Sequence, residues 1–129
     1  MIRLLIFVYA LSIISQVSAN EFLCAYGCVC NFKDPIFFAE CSRGTLKELP
    51  YFNTEITNLA VNYINLYENL IENLDEEIIN KWKSLKGIDL RRNPTNCSQL
   101  GLFQKEVTVV SDCQENVVST SGGCTLICR

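Results

Sequence analysis

The chain has 129 residues, with 11 lysines and arginines against 14 aspartates and glutamates, for a formal net charge of −3. Phosphate-backbone binding needs a basic stripe, so this balance argues against a nucleic-acid partner. There is no histidine, which excludes a histidine base or a histidine metal ligand, and there are eight cysteines.

Residues 1–19 have the layout of a signal peptide. Arg3 supplies the charged start, Leu4 to Ile14 is an apolar run, and Val17-Ser18-Ala19 offers small residues for cleavage after Ala19. The run is short for an anchor helix, since spanning a bilayer takes about 20 apolar residues, and no later stretch is longer. The expected mature product is therefore secreted and extracellular, with no membrane span. Losing Arg3 leaves ten basic residues against 14 acids, a net charge of −4. A chain of this size buries roughly 60–70% of its unfolded surface, a modest core that disulfide staples would help.

The cysteines fall into two groups, Cys24, Cys28, Cys30 and Cys41, then Cys97, Cys113, Cys124 and Cys128. An even number in a secreted chain reads as disulfide bonds. Zinc is the rival reading, but the C-x-C spacing without histidine is not a usual structural zinc pattern, and no metal or other cofactor is expected. The first group is followed by Leu46-Lys-Glu-Leu49-Pro50. This segment, 20–50, resembles the N-terminal cap of extracellular leucine-rich repeat proteins. The resemblance implies the pairs Cys24–Cys30 and Cys28–Cys41. The interval between Cys30 and Cys41 is longer than that pattern, and a hairpin turning at Asp34-Pro35 would absorb the excess.

Residues 51–96 carry the repeats. Leu85, Ile88, Leu90 and Asn93 stand in the order L-x-x-L-x-L-x-x-N, and the same positions twenty-four residues earlier are Val61, Ile64, Leu66 and Asn69. The spacing predicts short strands that bury Ile64, Leu66, Ile88 and Leu90, while each asparagine spends its amide on backbone groups of the following turn. Tyr51, Phe52, Ile56 and Leu59 read as packing residues of an imperfect first turn. A competing strand register through Ile56, Leu59 and Val61 is less favoured because it puts Ile64 where an asparagine belongs. Asp75 is placed to cap a short helix, with Glu76 and Glu77 in its first turn and Ile78, Ile79 and Trp82 on its apolar face. Trp82 is expected in the core, the alternative being an exposed anchor for a partner.

Residues 97–129 form the second cysteine segment and tail. Leu100 and Phe103 suit a short helix covering the last repeat, and Val107-Thr-Val109-Val110 suits a final strand. A Cys97–Cys113 bridge would contribute about 3 kcal/mol in the chain-entropy model. This segment is similar to the family's C-terminal cap, but Gln99 stands where its second cysteine belongs, so the family's pairing cannot be copied here. Cys124–Cys128 is the expected last pair, with a bridge back to the cap or between two chains as the alternatives. The sequon Asn96-Cys97-Ser98 is a candidate glycosylation site.

These readings lead to an α/β repeat, a short leucine-rich repeat solenoid of about two full repeats between disulfide-stapled caps. Stacking strands one period apart puts Tyr63 beside Gly87, Asn65 beside Asp89, Tyr67 beside Arg91 and Glu68 beside Arg92. The expected function is a non-enzymatic, secreted protein-binding module. It would recognise an extracellular protein through a concave face made of Tyr63, Asn65, Tyr67, Glu68, Asp89, Arg91 and Arg92. The bland reading of the same residues is a cation–π pair of Tyr67 with Arg91 and a surface ion pair of Glu68 with Arg92. The alternative function is a disulfide-rich ligand or inhibitor acting through the tail Gln114–Arg129. A homodimer is a further expectation, since two repeats fall short of the three or more a stable array needs. No catalytic residue is expected: Asp75, Glu76 and Glu77 read as a solvated helix start.

Overall fold

The computed structural model describes residues 21–113 and the backbone of 125–128. The signal-peptide reading of residues 1–19 and the Cys124–Cys128 pairing lie outside the described residues.

Seven strands form one mixed sheet in chain order: β1 (Glu21–Ala25), β2 (Cys28–Lys33), β3 (Ile36–Glu40), β4 (Tyr63–Asn65), β5 (Gly87–Asp89), β6 (Thr108–Ser111) and β7 (Thr125–Cys128). β1, β2 and β3 are antiparallel, and every later neighbour is parallel. The β2–β3 hairpin closes at Asp34-Pro35, where Lys33 pairs with Ile36 and the Asp34–Pro35 peptide bond is cis. Parallel neighbours need crossovers, and three short helical segments lie on these connections: α1 (Glu55–Ala60), α2 (Glu76–Lys81) and a 3-10 helix at Cys97–Leu102.

The expected short leucine-rich repeat solenoid between separate caps is therefore corrected. Among the described residues the fold is a small mixed sheet with few short helices and three disulfides. The cysteine-rich segment does not close off the end of a stack; it supplies three antiparallel strands of the same sheet. Nor is the parallel half periodic. Phe38, Tyr63, Gly87, Thr108 and Thr125 stand in register across it, and successive intervals in that row are 25, 24, 21 and 17 residues. The twenty-four-residue recurrence describes one crossover, and the connections on either side follow their own lengths.

Each helix begins where a side chain can serve an unpaired backbone donor. Thr54 caps α1 through the Thr57 N–H (3.1 Å), Asp75 caps α2 through the Glu77 N–H (2.8 Å), and Asn96 caps the 3-10 helix through the Ser98 N–H (3.2 Å). The reading of 51–60 needs a further correction. Phe52 is buried, but Tyr51, Ile56 and Leu59 are exposed, because α1 turns Thr57 and Asn58 inward instead. Asn58 receives the Phe52 N–H and donates to the carbonyls of Phe52 and Thr54.

The core lies between one face of the sheet and these connections. Cys30, Ala39, Ile64, Ile88 and Val109 stand in one register row across five strands, each buried. Over them pack Phe52, Ile71, Leu74, Ile79, Trp82, Leu100 and Phe103. Trp82 is 4% exposed, with its ring 6.3 Å from that of Phe52. Each buried apolar side chain of this size stabilises by about 1.5–3 kcal/mol. Disulfides join Cys24–Cys30, Cys28–Cys41 and Cys97–Cys113, the pairs named from the sequence. Gln99, standing in place of a cysteine, accepts the Leu74 N–H at 2.8 Å.

Two asparagines tie the strand exits together. Asn69 Nδ2 donates to the carbonyls of Cys41 (2.8 Å) and Leu66 (3.1 Å), while its Oδ1 accepts the Leu46 N–H. Asn93 Nδ2 donates to Leu66 and Leu90, and its Oδ1 accepts the Ile71 N–H. Gly44 gives Asn69 room: a Cβ there would lie 2.9 Å from Asn69 Oδ1. Asn69→Ala strands buried backbone groups on two connections. It is expected to cost roughly 2–4 kcal/mol in urea unfolding, whereas Asn73→Ala on the exposed surface stays within about 0.5 kcal/mol.

Candidate functional site on the open sheet face

The sheet face opposite the core is not covered by the helices, and β4, β5 and β6 are only three or four residues long. Side chains alternate across a strand, so Phe38, Tyr63, Gly87 and Thr108 form one open row and Glu40, Asn65, Asp89 and Val110 the next. Gly87 has no side chain to stand in its row. A Cβ on it would come within 2.9 Å of Tyr63 Cδ1, so the tyrosine ring leans over the β5 backbone in the space that the glycine leaves. The result is a groove of about 430 Å³, walled by Phe38 and Tyr63 on one side and Thr108 and Val110 on the other, with Lys86 and Asp89 along it.

The seven residues expected to form one contact face separate into two sets. Tyr63, Asn65 and Asp89 line the groove. Tyr67, Glu68, Arg91 and Arg92 gather at the strand exits, where Glu68 and Arg92 take left-handed backbone angles (φ 59° and 58°). Asn65 and Asp89 play the same local part. Each accepts, at 3.0 Å, the backbone N–H two residues on, that of Tyr67 or Arg91, which turns the chain out of the strand. Asn65 Nδ2 also donates to Glu40 Oε2 at 3.2 Å.

The charges are largely matched within the cluster. Arg91 forks onto Asp89, with Nε donating to Oδ1 at 3.0 Å and Nη2 to Oδ2 at 2.7 Å, and its guanidinium lies 5.3 Å from the Tyr67 ring centroid. Arg92 stands 3.5 Å from Glu68, and its backbone N–H donates to Asp112 Oδ2. The Asp89 hydrogen bond, and then its charge, raise the Arg91 pKa above an already high ordinary value. For Arg92 the hydrogen bond to Tyr67 comes first, then the charges of Tyr67 and Glu68. Both arginines stay cationic, but as solvent-exposed groups their pairs add little to stability.

Sequence reasoning missed Phe38, Lys86, Thr108 and Val110 as groove residues. Residue spacing marks Thr108 and Val110 as strand residues but assigns them no face. Asn62 was missed as well: it exchanges two hydrogen bonds with Phe37, each 2.8 Å, and donates to Ser84 O, which holds β3, β4 and the approach to β5 together. The tail Gln114–Arg129 is described only for the β7 backbone, so the tail-based alternative falls outside the described residues.

Among the described residues no helix is long and apolar enough to cross a membrane, and no group of three metal-ligating side chains stands together. Three disulfides are compatible with an extracellular location. Comparison of the chain with protein-family models, characterised proteins and solved structures returns no match.

Gly87→Ala is expected to push the Tyr63 ring off β5 and shrink the groove. It should move the Tyr63 ring resonances in NMR spectra and cost about 1–3 kcal/mol. Arg92→Gly relieves a left-handed non-glycine residue at the cost of a surface pair. Its unfolding free energy should match the wild type or exceed it by up to about 1 kcal/mol.

Proposed function

We propose that this chain is a non-enzymatic extracellular binding module that holds a protein partner on its open sheet face. The observation that carries this reading is the groove over Gly87. It is an apolar trough with an aromatic wall, and Tyr63, leaning over Gly87, is 37% exposed. Tyrosine suits such a place because it brings a large rigid apolar body with a polar tip and loses little side-chain freedom on binding. Lys86 stands along the trough, where its charge favours one orientation of a bound segment.

The cluster at the strand exits has a secondary part in this reading. Arg91 and Arg92 are already paired with Asp89 and Glu68, so a partner gains little from them at close range.

A partner retained from extracellular fluid by the oxidised chain provides the test. With that partner, Tyr63→Ala is expected to weaken binding at least tenfold and Lys86→Glu severalfold. The double variant Arg91→Glu/Arg92→Glu should change affinity less than Tyr63→Ala. Unchanged affinity in Tyr63→Ala and Lys86→Glu, with the disulfides intact, would remove the groove as the binding surface.

A further inference from the structure

We propose that Asn96 is a modification site carrying one N-linked oligosaccharide. The acceptor pattern Asn96-Cys97-Ser98 occurs at the start of the 3-10 helix. Both Asn96 and Ser98 are exposed, whereas Cys97 between them turns inward to its bridge with Cys113. The carboxamide of Asn96 is held through its oxygen: Oδ1 accepts the Ser98 N–H at 3.2 Å and the Ser98 hydroxyl at 2.7 Å. A sugar attached at Nδ2 leaves that carbonyl in place, so the helix cap survives the modification.

The position also keeps an oligosaccharide clear of the groove. The Asn96 backbone N–H donates to Glu72 O at 2.8 Å, and the Thr95 hydroxyl to Ile71 O. Neither acceptor lines the open-face trough. Asn96 itself is likewise not among the residues lining the trough, so the attachment point lies outside it.

The cysteine in the middle of the pattern is compatible with transfer because of chain order. Its partner Cys113 follows sixteen residues later. Cys97 therefore enters the secretory compartment ahead of Cys113 and at that point has no Cys113 to pair with. Transfer belongs in that interval. The Asn96 Nδ2 attacks the anomeric carbon of a lipid pyrophosphate-linked oligosaccharide. A C–N bond forms, the C–O bond to pyrophosphate breaks, the lipid pyrophosphate leaves with the bonding pair, and Nδ2 gives up one proton to the transferase.

The inference rests on the extracellular part of the reading above and is independent of the groove. The full chain is expressed in eukaryotic secretory cells, in parallel with a chain in which residues 1–19 are replaced by a proven leader. The expected result is one glycan in both, removed by peptide N-glycosidase with conversion of Asn96 to aspartate, seen as a mass gain of about 1 Da on that residue. Ser98→Ala and Asn96→Gln lose the glycan, while non-reducing peptide mapping still finds Cys97–Cys113. A glycan only on the replaced-leader chain supports the site and counts against residues 1–19 as a leader. Secreted chain that is unglycosylated in both forms overturns the proposal, as does a glycan that persists in Ser98→Ala.

Discussion

The structure depends on one buried row that crosses the sheet: Cys30, Ala39, Ile64, Ile88 and Val109, each in register with the next. Strands of three residues cannot hold a sheet together by backbone bonds alone, because each has few such bonds to offset the entropy of ordering the chain. What fixes them is that the central residue of each points into the same core. Slipping any strand by one position would exchange Ile64 for Tyr63 or Asn65, and Ile88 for Gly87 or Asp89, which exposes the apolar residue and buries a polar or missing one. The register that serves the core also determines which residues face outward.

That coupling is how the fold makes the groove. The open rows are the unavoidable complement of the buried row, so Phe38, Tyr63, Gly87 and Thr108 come together because Ala39, Ile64, Ile88 and Val109 do. The glycine then decides the shape. Any side chain at 87 would meet the Tyr63 ring, and the row would be a filled sheet surface instead of a trough. The strand exits are settled separately, by Asn65 and Asp89 capping the turn, by left-handed residues at 68 and 92, and by the side-chain amides of Asn69 and Asn93. Charges on those exits are consequently held by short-range partners, and the polar cluster and the apolar groove are neighbours with different physical tasks.

The cysteines act on the ends of this arrangement. Cys28–Cys41 and Cys24–Cys30 tie β1 and β2 to the end of β3, and Cys97–Cys113 ties the 3-10 helix to the end of β6. Between them the middle of the chain has no covalent constraint, and there Asn62 does by hydrogen bonds what a bridge does elsewhere, linking β3 to the turn before β5. A buried amide engaged through both its oxygen and its nitrogen is a strong constraint, since breaking it strands several polar groups at once.

Local features were legible in the residues alone. Alternation marked Ile64, Leu66, Ile88 and Leu90 as inward, Asp75 announced a helix start, Asp34-Pro35 announced a hairpin turn, and Asn69 and Asn93 stood where amides are spent on backbone. All of these depend on contacts within one strand, one turn or one crossover, which is the range that residue spacing reports. The arrangement of the sheet was not legible. A single matched period suggested a repeat array, but the connections on either side are shorter or longer, and the first cysteine segment adds antiparallel strands to the sheet instead of capping a stack. Phe38 and Thr108 join Tyr63 and Gly87 in one groove although the connections between their strands are unequal in length. Only the tertiary structure decides that neighbourhood, because it is set by the register of a core row whose members come from five separate strands.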